Sequence, residues 1–113
     1  LDSKTGSEAG TIDVEKLKRL QMLHVRFLIF DVRSHEAYSQ GHIQSAFNIS
    51  ASEFKANIEK QVVKKDTPII VYDQDGSSIA ELVIECEQQG YINMVMLEGG
   101  FTEYSKHYNP KSD

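Results

Sequence analysis

Three short runs, Phe27-Leu28-Ile29-Phe30, Ile69-Ile70-Val71-Tyr72 and Met94-Val95-Met96-Leu97, are apolar at consecutive positions. A strand with one face in water alternates apolar and polar side chains, so a run without alternation must be covered on both faces. The segments between the runs have the marks of helices. Asp13 is placed to cap a helix reaching about Met22, with Val14 and Leu17 facing inward. Ser34 opens a short helix that Gly41 stops, and Ser50-Ala51-Ser52-Glu53 fits a capping box ahead of Phe54 and Ile58. Pro68 opens the second run. Gly76-Ser77-Ser78 leads into a helix with Ile79, Leu82, Val83 and Cys86 on one stripe, closed by Gly90. After Gly99-Gly100 comes a last helix carrying Phe101, Tyr104 and Tyr108, ended by Pro110. Buried strands alternating with helices predict an α/β domain, a parallel sheet wrapped on both sides and joined by right-handed crossovers.

The chain is expected to be one domain over residues 11–110, after a small polar lead-in over 1–10 that reads as disordered. No run is long enough to span a membrane. The one cysteine, Cys86, excludes a disulfide framework and a multi-cysteine zinc site and suits a reducing, cytoplasmic setting. A net charge of -5 argues against nucleic-acid binding. That charge is unevenly placed. Residues 1–65 hold ten bases and eight acids, whereas residues 66–113 hold two bases and nine acids. The second half is therefore a poor place to hold an anion.

In parallel α/β sheets, ligands sit beyond the carboxyl ends of the strands. Two segments fall there, Asp31-Val32-Arg33-Ser34 and Asp73-Gln74-Asp75-Gly76-Ser77-Ser78. The second precedes a helix, whose N–H groups and dipole favour a bound anion.

Asp31-Val32-Arg33, Glu36, Tyr38, Gly41-His42-Ile43, Ala46 and Asn48-Ile49 form an ordered set that resembles the first signature of rhodanese-like domains. Ile70-Val71-Tyr72 with Gly76, then Gly90-Tyr91, Leu97 and Gly99-Gly100, resembles the second half of that family. The resemblance runs from about Ile12 to Tyr108. It implies a five-stranded, mainly parallel sheet flanked by helices on both faces, with the active loop after the fourth strand. Sulfurtransferase members of the family carry a cysteine directly after the position of Tyr72, a glycine three residues on and often an arginine five on.

Here the glycine is present as Gly76, but Asp73 stands at the nucleophile position and Ser78 at the arginine position. Sulfur transfer needs a soft thiolate that can carry sulfane sulfur as a persulfide, and a carboxylate cannot. Asp73 and Asp75 would also repel an anionic substrate. Two like charges ~4 Å apart cost about 1 kcal/mol in water and about 4 kcal/mol at an effective dielectric near 20, or one to three orders of magnitude in affinity. Asp73 is instead expected to accept N–H bonds from its own loop. The expected function is that of a catalytically inactive rhodanese-like domain, a regulatory or protein-interaction module of a larger protein, with no cofactor and no metal. Residues 73–78 would then be a vestigial active-site loop.

Two enzyme readings compete. Asp73 and Asp75 after a strand resemble the Asp-x-Asp motif of haloacid-dehalogenase-type phosphohydrolases, which hold Mg²⁺ between them. Cys86 could serve a sulfur carrier, but its place on the apolar stripe marks it as a small buried hydrophobe. Asp31 and Arg33 are expected to form a structural ion pair, with Glu36 as a further partner, and His42 to order its loop through the backbone. His24, His35 and His107 have no metal-ligand spacing. Lys55, Lys60, Lys64 and Lys65 form a dispersed basic segment that could dock a protein partner. Gly99-Gly100-Phe101, Tyr104-Ser105 and Tyr108-Asn109-Pro110 are similar to the rhodanese-like regions of MAP kinase phosphatases, so a MAP kinase is the partner this resemblance names. The arginine cluster by which those regions grip kinases has no counterpart near Ser52–Lys55.

Overall fold

The computed structural model describes residues 10–108. Nearly all of the lead-in (residues 1–9), together with Asn109 and Pro110, lies outside these residues. The elements are β1 (Thr11–Ile12), α1 (Val14–Met22), β2 (Leu28–Asp31), α2 (His35–Ser39) and β3 (Phe47–Asn48), then α3 (Ala51–Gln61), β4 (Ile69–Tyr72), α4 (Ala80–Gln88), β5 (Met94–Leu97) and α5 (Gly100–His107). The five strands form one sheet in the order β1-β5-β4-β2-β3, and every pairing is parallel. The three apolar runs are its adjacent inner strands β2, β4 and β5. The edge strands β1 and β3 are two residues long, too short to show a period.

Alternation along the inner strands divides the core in two. Phe30, Ile69, Val71, Met94 and Met96 face Phe54 and Ile58 of α3 and Val83 and Cys86 of α4. Ile29, Ile70, Tyr72 and Leu97 face Val14 and Leu17 of α1 and Tyr104 of α5. Both faces of the sheet are thus covered, which is why the strands could be apolar throughout.

Asp13 caps α1 as expected, its Oδ1 accepting the Lys16 N–H at 2.8 Å. Two other starts differ from expectation. Ser50 precedes α3 but makes no side-chain capping bond, because the Glu53 N–H donates to the Ser50 backbone carbonyl at 2.9 Å. The α4 helix begins at Ala80, not among Gly76-Ser77-Ser78, since Asp73 draws those residues into a closed loop.

The helices α1 and α4 end in the same way, with paired backbone bonds that need a left-handed residue just past the helix. Gly90 (φ 108°) occupies that position after α4, with Tyr91 N–H on the Cys86 carbonyl at 3.2 Å. After α1 the position is His24 (φ 57°), with Val25 N–H on the Leu20 carbonyl at 3.1 Å. A side chain in this conformation costs roughly 1–2 kcal/mol. His24→Gly is therefore expected to stabilise the domain by about 0.5–1 kcal/mol, the remainder being offset by the greater freedom of glycine in the unfolded chain. A higher urea midpoint would show it; an unchanged or lower one would mean that the His24 side chain compensates through its contacts.

Candidate functional site

The parallel strands carry Asp31, Tyr72 and Leu97 to one end of the sheet, with Asp31 aligned against Tyr72 across the β2–β4 pair. The segments that leave these strands meet there. In the loop after β4, the Asp73 side chain is turned inward and is only 5% exposed. Its Oδ1 accepts the Gly76 N–H at 2.7 Å, and its Oδ2 accepts the Ser78 N–H at 3.0 Å and the Ser78 hydroxyl at 2.8 Å. Asp75 turns to Ser77, its Oδ1 accepting that residue's N–H at 3.0 Å and hydroxyl at 2.6 Å. The Ser77 hydroxyl and N–H hold the Asp75 carboxyl below its ordinary range. The N–H groups expected to favour an outside anion are held by the protein's own carboxylates. This agrees with the role foreseen for Asp73 and with the expectation that this half of the chain holds an anion poorly.

The loop is clamped from two sides. Phe101 and Thr102, in the first turn of α5, donate their N–H groups to the Asp73 and Gln74 carbonyls at 2.9 and 2.8 Å. Gly100 makes that approach possible, since a Cβ there would lie 2.6 Å from the Asp73 carbonyl oxygen. On the other side is Arg33. Its Nη2 is 2.8 Å from Asp31 Oδ2 and donates also to the Gly41 carbonyl at 2.6 Å. Its Nη1 donates to Gln74 Oε1 at 3.2 Å, while Gln74 Nε2 reaches Thr102 Oγ1 at 3.0 Å. The guanidinium lies 4.2 Å from the Phe101 ring centroid. The ion pair of Asp31 and Arg33 is as expected, but its further partners are Gly41 and Gln74 instead of Glu36. The cross-links made by Gln74 had no signal in the sequence, because glutamine after a strand is unremarkable until its neighbours are known.

Around this frame, Tyr72 donates no flexibility: its Oη accepts the Ile43 N–H at 3.0 Å, and burial together with the Asp31 carboxylate holds its phenol far above the usual range. His42 stacks on Tyr38 at 3.9 Å between centroids and bonds the Tyr38 carbonyl through Nδ1 at 2.9 Å, the loop-ordering role foreseen for it. Cys86 lies in the α3–α4 core, where burial pushes its thiol up to about 11. Of the four lysines considered for docking, Lys55 pairs with Glu85 of α4 at 3.3 Å and Lys65 with Glu59 at 3.3 Å, while Lys60 and Lys64 are exposed. Among the described residues no group of three or more His, Cys, Asp or Glu could hold a metal ion, and no helix is long and apolar enough to cross a membrane.

The model of the rhodanese-like domain matches residues 13–107. The thiosulfate sulfurtransferase GlpE of Coxiella burnetii is 31% identical over 86 residues, 76% of this chain and 78% of that protein. A tRNA uridine(34) hydroxylase of Bdellovibrio bacteriovorus is 28% identical over 73% of this chain, which spans 24% of that longer protein. Among solved structures, SSP1007 of Staphylococcus saprophyticus superposes with a TM-score of 0.77 at 26% identity, covering 87% of this chain and 95% of that one. The human single-domain sulfurtransferase TSTD1 superposes with a TM-score of 0.76 at 23% identity, covering 89% and 99%. The sheet order, the loop after β4 and a match along nearly the whole described chain lead to one assignment: the protein belongs to the family of rhodanese-like domains.

Proposed function

We propose that this rhodanese-like domain does not transfer sulfur and acts as a regulatory, protein-interaction module within a larger cytoplasmic protein. One observation carries the reading: at the nucleophile position the Asp73 carboxylate satisfies the loop donors Gly76 N–H, Ser78 N–H and Ser78 Oγ–H. A carboxylate cannot form a persulfide, and here its two oxygens occupy the donors that a substrate anion would need. No lysine or arginine lies between residues 66 and 105, and the one guanidinium described at the loop, Arg33, is already paired with Asp31 at 2.8 Å. Cys86 offers no substitute, because a buried thiol with its titration pushed up to about 11 stays protonated near neutrality. A magnesium-dependent phosphohydrolase gains no support either, since Asp73 and Asp75 are spent on separate parts of the loop.

The test is thiocyanate release from thiosulfate and cyanide. The chain and its Cys86→Ser variant are expected to match the protein-free blank, and Asp73→Cys alone is expected to stay near it, because Asp75 remains and Ser78 supplies no charge. Cys86 should react with an aromatic disulfide reagent only after denaturant is added. Robust turnover by the unmodified chain would overturn the proposal, and robust turnover by Asp73→Cys would overturn its electrostatic basis.

A further inference from the structure

The carboxyl ends of the strands carry the loop just described, and the opposite end of the sheet has a different character. There the last turn of α1, the start of β2 and the opening residue of β3 enclose a groove of about 670 Å³. Lys18, Met22, His24, Val25, Ser45 and Phe47 are among its lining residues. Of the six large apolar side chains exposed among the described residues, Met22, Val25 and Phe47 line this groove and Leu23 is the next residue after Met22, with Met22 68% and Leu23 72% exposed. His24 and Ser45 are also the two non-glycine residues with left-handed backbone among those described, so both rims hold conformations that side chains disfavour.

We propose that this groove docks an acidic amphipathic helix of a protein partner. The proposal rests on the reading of the domain as an interaction module and names its face and the chemistry of its partner. Charge selects the occupant. No aspartate or glutamate lines the groove, and Lys18 stands on its wall. On a chain of net charge -5 the groove is thus free of carboxylates, with one cation beside the apolar side chains of Met22, Val25 and Phe47. Such a groove complements a helix that buries an apolar stripe and carries carboxylates on its flanks. An added strand fits less well, because the edge strand β3 offers only two residues for pairing. The concave shape favours a helix over a lipid surface, which is better met by protruding side chains.

NMR titration of the full chain tests the proposal. The probe is a peptide with leucines on one helical face and glutamates on its flanks, beside the same peptide with lysine for glutamate. The acidic peptide is expected to shift the resonances of Met22, Leu23, Val25 and Phe47 and to bind at least about tenfold more tightly than its basic counterpart. Lys18→Glu, with the rest of the spectrum kept, is expected to abolish most of that preference. Equal or absent binding of the two peptides would overturn the proposal, as would shifts centred on residues 73–78. So would a different occupant: a concentration-dependent dimer through the groove, broadening of groove resonances by a spin label on Ser3→Cys, or binding to phosphatidylserine vesicles without binding to the peptide. Thiocyanate release is read separately, so an active enzyme with a binding groove and an inactive domain without one are told apart.

Discussion

Arg33→Met is expected to lower stability by about 3–5 kcal/mol, a large part of the roughly 5–15 kcal/mol available to a domain. The reason lies in Asp31, which is fully buried and accepts the Arg33 Nε at 3.1 Å on both oxygens and Nη2 at 2.8 Å. Removing the guanidinium leaves a buried carboxylate with only the backbone N–H of residue 33 and the Tyr72 hydroxyl as donors. The arginine is itself only 8% exposed, so solvent does little to screen the pair. Its loss also frees the Gly41 carbonyl and Gln74 Oε1, which ties the damage to the loop after β4. Arg33→Lys keeps the charge without the fork and should fall between the two. Arg33→Met combined with Asp31→Asn should recover part of the loss, because the unpaired charge is gone. Urea midpoints measure all three, and a loss under about 1 kcal/mol in the single variant would show that the pair does not hold this end of the sheet together.

Gly100→Ala is the second large effect. A Cβ at this position would stand 2.6 Å from the Asp73 carbonyl oxygen, 2.8 Å from the Asp75 nitrogen and 2.8 Å from the Gln74 carbonyl carbon. All three are backbone atoms and cannot rotate away. The residue also has φ +60°, which adds roughly 1–2 kcal/mol for any side chain. With overpacking of about 1–3 kcal/mol, the expected loss is about 2–5 kcal/mol. Gly90→Ala makes a useful comparison, since its φ of +108° is also strained but its nearest obstacle is Lys65 Cδ at 3.1 Å, in a flexible side chain. Its cost should be nearer 1–2 kcal/mol. Thermal or urea unfolding that ranked Gly90→Ala as the more damaging would refute the view that α5 presses against the loop by backbone contact.

These two positions mark where reading the chain reached its limit. Arg33 was legible as a partner of Asp31, since the two lie two residues apart after a strand, but Gly41 and Gln74 come from segments 8 and 41 residues away. The Gly99-Gly100 pair was legible as a turn, whereas its role as the seat of the Asp73 loop needs the packed sheet. The capping expectation at Ser50 failed for a local reason: the backbone closed its own first turn and left the hydroxyl beside Ser52 Oγ at 3.4 Å. The groove beside Met22 and Phe47 left only a weak trace, an apolar pair, Met22-Leu23, at a helix end. The lysine segment read as a dispersed basic stretch, and folding places Glu85 and Glu59 against two of its members.

The sequence alone determined the α/β class, the three inner strands, the faces of the helices, the family resemblance and the carboxylate where a sulfur nucleophile would stand. Each of these follows from local side-chain chemistry or from a period of two or about 3.6 residues, and neither needs knowledge of distant segments. The tertiary structure alone decided the short edge strands, the clamp from Arg33 through Gln74 to Thr102, the backbone seat at Gly100 and the groove at the far end of the sheet. Those features are contacts between residues far apart along the chain, and only packing brings such residues to within a few ångströms of one another.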